Sequence, residues 1–147
     1  MPASVPRRAL IAVTSAHAQL YPNGGETGVF ITEALHPFEG FRKAGFECHG
    51  GAILPGVKDQ SGKSIISGRK VTGFTDKGEE ELGALAEIKN WNRSTIQESA
   101  ASAGAEYVNP PSPWAAYQVT DGRLVTGVNP QSATVTTEAA IKAFDAL

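Results

Sequence analysis

The sequence is poor in the residues that build covalent or metal-bound frameworks. It has one cysteine and three histidines among 147 residues. A single cysteine excludes an internal disulfide, and no Cys/His cluster has the spacing of a zinc site. Neither sign of charge dominates: 13 basic against 15 acidic residues leave a net charge of −2, which gives no electrostatic case for nucleic acid or an anionic membrane. No apolar run approaches the roughly 20 residues that span a bilayer. The first residues, Met1 to Arg8, lack the long apolar stretch of a secretory leader. An intracellular, reducing location fits a free thiol best, namely the cytoplasm with the nucleus as a second compartment.

What is present is ordinary for a globular chain: 41% hydrophobic and 19% charged residues. The length predicts one domain, residues 1–147, able to bury roughly 68–70% of its unfolded surface. No internal repeat or low-complexity linker interrupts it.

The lone cysteine lies in the most informative stretch, Phe46-Glu47-Cys48-His49-Gly50-Gly51-Ala52-Ile53. A short apolar approach, then Cys-His-Gly-Gly, then an apolar run reads as strand, tight turn and helix start. That is the layout of a nucleophile elbow, in which the turn aims the free N–H groups of the next helix at the thiol. The helix dipole would stabilise a thiolate there, and a neighbouring imidazole would lower its pKa further. On the residues alone a second reading stays open, with Cys48 a small buried hydrophobe and His49 a bystander.

The flanking chain reads as α/β. Residues 9–14, a β-branched apolar run, form a buried parallel strand, and 15–28 are loop. Residues 32–45 form a helix with Leu35, Phe38 and Phe41 on one face and Gly45 as its stop. Glu33, just before that helix, reads on its own as a solvated glutamate, and His17 and His36 as residues without chemistry. After a short helix over 52–57 and a polar turn over 58–63, residues 70–74 form a strand. The acidic run from Asp76 opens a helix, its charges a solvated face. Ser94-Thr95-Ile96-Gln97 reads as a capping box for a helix ending near Gly104, Glu106-Tyr107-Val108 as a strand and 109–114 as a rigid loop. Tyr117–Thr126 is a hairpin turning at Asp121-Gly122 in type I′ geometry. Residues 132–147 form a helix with Val135, Ala139, Ile141 and Phe144 as apolar positions. Trp91 and Trp114 read as packing residues.

Several segments jointly resemble the ThiJ/PfpI superfamily of the class I glutamine amidotransferase-like fold, in its fungal heat-shock chaperone and glyoxalase III branch. They are Thr27–Phe30 with Glu33–Phe38, Cys48-His49-Gly50, Val71–Asp76 and Tyr117–Pro130, in the family's order. The resemblance implies a flavodoxin-like, Rossmann-like three-layer sandwich with a nucleophile elbow. It implies Cys48 as nucleophile, His49 as catalytic histidine and Glu33 as the acidic partner of the thiol. His49 and Gly50 would contribute the oxyanion and substrate site. It further implies glutathione-independent conversion of methylglyoxal, a small 2-oxoaldehyde, to D-lactate without a metal or organic cofactor, with deglycase or stress-chaperone roles.

The chain departs from the family at one place. Only Phe46 and Glu47 separate the helix-stopping Gly45 from Cys48, whereas a strand has about 5–6 residues. Glu47 would also put a charge into a buried central strand. A long central segment is thus expected to be missing at the 47/48 junction, through splicing or two exons wrongly joined. Lost central strands would expose unpaired edges, a route to aggregation or a homodimer. Two further readings follow: an inactive shortened chain keeping only chaperone-like or oligomerising surfaces, and an amidotransferase or peptidase sharing the elbow.

Overall fold

The computed structural model describes residues 48–146, with side chains from residue 50 onward. The expected strand over 9–14, the helix over 32–45, Glu33, His17 and His36 lie outside the described residues.

The organising element is a short parallel pair. β1 (Lys70–Val71) and β2 (Glu106–Tyr107) pair with Lys70 opposite Glu106 and Val71 opposite Tyr107. Parallel strands need a crossover, supplied here by α1 (Asp76–Glu81), α2 (Leu85–Asn90) and α3 (Ile96–Ser102). This β-helix-β unit bears out the α/β class. The ladder runs one step past each end, because Glu106 N–H donates to the Arg69 carbonyl and Val108 N–H to the Val71 carbonyl.

The hairpin of β3 (Gln118–Asp121) and β4 (Leu124–Gly127) completes β1 on its other side. It does so with side chains. Lys70 N–H donates to Asp121 Oδ2 at 2.8 Å and Thr72 N–H to Thr126 Oγ1 at 2.9 Å. The Thr72 N–H, which would otherwise lie unpaired inside the protein, is satisfied by this route. The same demand moves the hairpin turn by one residue from its expected place. Asp121 pairs with Leu124 as part of the strand, so Gly122 and Arg123 are the central residues. Gly122 has φ +61° and Arg123 is not among the residues of positive φ, which is type II′ geometry rather than type I′. Asp121 stays extended because its carboxylate is committed to Lys70 N–H and, at 3.6 Å, to Arg69.

Ile66, Val71 and Ala100 form a buried cluster, with Leu54, Tyr107 and Leu124 packed against it. Each large side chain buried there contributes about 1.5–3 kcal/mol. α3 opens on a capping box, one residue later than expected. Thr95 accepts from Glu98 N–H, and Glu98 accepts from Thr95 N–H. The Lys89 ammonium, then Thr95 N–H, hold the Glu98 carboxyl below its usual range. Gln97, expected as the capping partner, instead accepts from Asp76 N–H and so ties α3 to α1. The helix stops before Gly104, whose φ of +78° suits a C′ residue.

Three other expectations change. The strand over 70–74 is only Lys70–Val71, because Thr75 leaves the sheet to cap α1 by accepting from Gly78 N–H. α1 is not a purely solvated acidic face: Glu79 is 4% exposed. In α4 (Ala133–Asp145) the buried positions are Ala133, Thr136 and Thr137, while Phe144 is 43% exposed. Gly127 of β4 approaches Thr136 so closely that only compact side chains fit that seam. Trp91, expected to pack, is exposed at the C-cap of α2.

Candidate functional site

Cys48 opens a 3₁₀ helix, Cys48–Gly56. The expected helix is therefore present, but it starts at the cysteine and includes the Cys-His-Gly-Gly residues expected as a turn. Its composition explains the tight winding. Gly50 and Gly51 disfavour an α-helix, and Pro55 has no N–H and would clash with the preceding turn. Nine residues is long for this conformation, so tertiary contacts must hold it. Leu54 packs on the Ile66 cluster, and its carbonyl accepts from Ser64 Oγ at 3.4 Å.

The N-terminal half of that helix lies at the carboxyl end of the parallel pair. A Cβ placed on Gly51 would sit 3.8 Å from the carbonyl oxygen of Thr72, the first residue beyond β1. Cys48 is one 3₁₀ turn earlier. In open α/β sheets ligands bind outside the carboxyl ends of the strands. Gly50, two residues after Cys48, is exposed.

That edge is closed underneath by hydrogen bonds. Thr72 Oγ1 donates to the Val108 carbonyl at 2.9 Å, and the Tyr107 hydroxyl donates to the Gly73 carbonyl at 2.6 Å. Burial pushes the Tyr107 phenol up to about 12. It stays protonated at neutral pH and serves as a donor, not a base. Residues leaving the two strands meet at this end. Phe74, beyond β1, meets the edge of Trp114, beyond β2, at a centroid distance of 5.3 Å and 62° between planes. Trp114 Nε1 donates to Glu81 at 2.7 Å. Glu79 is a buried carboxylate on the helix that leaves this same end of β1. Sequence reading missed it because Glu79-Glu80-Glu81 looks like one solvated run, and only packing separates the buried member from its neighbours.

Among the described residues no group of three His, Cys, Asp or Glu could hold a metal ion, and no helix is long and apolar enough to cross a membrane.

Similarity to known proteins follows the same lines. The chain is 31% identical to glyoxalase 3 of Candida albicans over 232 aligned positions, covering 94% of this chain and 98% of the relative. The chain belongs to the glutathione-independent glyoxalase family, the glyoxalase III branch of the ThiJ/PfpI superfamily. The glutathione-independent glyoxalase of Saccharomyces cerevisiae is 30% identical over 97% of this chain and 98% of its own. The crystal structure of glyoxalase III from Candida albicans matches with a TM-score of 0.80 at 29% identity, over 86% of this chain and 92% of that one. No family model matches the chain. The 232 aligned positions exceed the 147 residues available, so the match to the Candida albicans relative bridges a long gap.

Proposed function

We propose that this protein is a glutathione-independent glyoxalase that converts a small 2-oxoaldehyde such as methylglyoxal to D-lactate, with Cys48 as nucleophile. The observation that carries the reading is the start of the Cys48 helix, one turn before the residue that meets Thr72 at the carboxyl end of the parallel pair. Relatives aligned along nearly the whole chain are glyoxalases, so an inactive remnant and an amidotransferase are both less favoured.

In this reading the Cys48 thiolate attacks the aldehyde carbon, and the alkoxide takes a proton to give a hemithioacetal. His49 removes the hydrogen on that carbon and returns a proton to the neighbouring ketone carbon through an enediol. The aldehyde carbon is oxidised to a thioester while the ketone is reduced to an alcohol. Water then cleaves the thioester to lactate and frees the thiol. The redox change is internal, and the net reaction consumes one water. The His49 N–H is an oxyanion donor with Gly50 beside it, and Glu33 pairs with the thiol. The proposal also includes a single domain with a segment missing at Glu47–Cys48, a cytoplasmic or nuclear location, no nucleic-acid partner and a homodimer.

The test is D-lactate formation from methylglyoxal without glutathione. Cys48→Ala is expected to lower the rate at least about a hundredfold, in line with losing a nucleophile that acts with a base. Turnover that persists in Cys48→Ala would sink the assignment.

A further inference from the structure

The loop from Asn109 to Ala115 is irregular yet fastened at three places. Gln97 Nε2 donates to Asn109 Oδ1 at 3.3 Å, while the other end of the Gln97 amide holds Asp76 N–H. Trp114 is fixed by its Glu81 hydrogen bond and its edge contact with Phe74. The third fastening is the firmest. Asn129 is fully buried and donates to the carbonyls of both Pro113 and Ala115 at 2.8 Å. Its Oδ1 accepts from Ser132 N–H and Ser132 Oγ. Both amide protons of a fully buried side chain are thus committed to the two residues flanking Trp114. Pro110, Pro111 and Pro113 restrict the loop further.

All this constraint presents a tryptophan that stays 40% exposed. A side chain needed only for packing would be buried, and a merely tolerated surface tryptophan would need no such anchoring. Trp114 bridges the residues that leave the carboxyl ends of β1 and β2, the end that Gly51 of the Cys48 helix also meets.

We propose that Trp114 is a specificity-determining residue: its exposed ring forms one wall of the substrate entrance and favours 2-oxoaldehydes carrying an aromatic or bulky apolar group. This rests on the glyoxalase reading for the identity of the substrate. It does not rest on that reading for the position of the ring.

The test compares wild type, Trp114→Ala and Trp114→Phe in two assays. The first is turnover of phenylglyoxal and methylglyoxal. Trp114→Ala is expected to raise KM for phenylglyoxal about three- to tenfold, the range of one aromatic pair, with kcat held. KM for methylglyoxal should move less than about twofold, and Trp114→Phe should recover most of the loss. The second assay needs no turnover. The only cysteine, Cys48, is alkylated with phenacyl bromide and with iodoacetamide, and the ratio of the two rates is taken. Trp114→Ala is expected to lower that ratio by a similar factor. A lowered ratio in a protein that turns over neither aldehyde keeps the wall and sinks the glyoxalase reading. Turnover with an unmoved ratio and unmoved KM values overturns the wall and keeps the enzyme. A fall in melting temperature alone, with the ratio unchanged, makes Trp114 a packing residue and also overturns the proposal.

Discussion

Tyr107 shows how one side chain ties the floor of the candidate site to the stability of the chain. Its hydroxyl satisfies the Gly73 carbonyl, and its ring packs against the Ile66 cluster. Burial raises its pKa to about 12 from an ordinary 10.0. The sign of the consequence follows from linkage. Below pH 10 both folded and unfolded chains hold the phenolic proton, so pH has no effect through this group. Between 10 and about 12 the unfolded chain releases its proton while the folded one keeps it, so stability falls as pH rises. Melting temperature measured across that window should drop in wild type, and Tyr107→Phe should remove this part of the drop. At pH 7 the same variant should cost about 0.5–1.5 kcal/mol for the lost hydrogen bond. A variant whose melting curve tracks wild type from pH 9 to 12 would show that Tyr107 is not held as described.

Among the elements, the seam between hairpin and C-terminal helix is the sharpest case of packing overriding pattern. Helical periodicity picks Val135, Ile141 and Phe144, because a stripe of large apolar residues is the usual buried face. The structure buries Ala133, Thr136 and Thr137 instead, since β4 comes within the reach of a single Cβ. Gly127→Ala would drive a methyl group into Thr136 Oγ1 and against Ser132 Cβ at 3.3 Å. It is expected to destabilise by about 1–3 kcal/mol, the usual cost of overpacking. Urea denaturation would read this as a lower midpoint at constant slope. Thr136→Ala in the same chain removes the clashing Oγ1 and should recover much of the loss, because the next contacts lie at 3.3 Å, whereas Thr136→Ser keeps that oxygen and should recover little. No recovery in Thr136→Ala would mean that the Thr136 hydroxyl does not set the seam.

The elements themselves were legible where local chemistry decides them. The Asp121-Gly122 signal, the Thr95 cap and Gly104 stop, and the acidic opening of α1 each specify a turn or helix end through a few adjacent residues. Apart from the strand cut short where Thr75 caps α1, the main errors are shifts of one residue or of one face with a long-range cause. Lys70 N–H holds Asp121 in the strand, Asp76 N–H takes Gln97, and burial singles out Glu79. The same division holds at the site. The helix expected after Cys-His-Gly-Gly is legible, although it starts at Cys48 rather than after those residues, and the long-range clamp of Asn129 on the loop around Trp114 leaves no sequence signal beyond an Asn-Pro step.

At the scale of the whole molecule, the proposed junction before Cys48 can be tested through the stability of the rest. The described core is built largely of small and β-branched side chains, with Phe74 its only buried aromatic. The exposed apolar side chains include Ile53 on the Cys48 helix and Val57 just after it. The chain aligns with the Candida albicans relative by bridging a long gap, and the proposed place for that gap is Glu47–Cys48. A segment restored there should add buried surface, and the slope of denaturant unfolding scales with the surface exposed. Inserting the corresponding segment of that relative between Glu47 and Cys48 is therefore expected to raise both the urea midpoint and the slope. It should also reduce the exposure of Ile53 and Val57 to solvent probes and lower any self-association seen in sedimentation. If midpoint and slope stay at the values of the 147-residue chain, the segment does not join this core. The gap then lies elsewhere, and the 3₁₀ helix at Cys48 is complete as it stands.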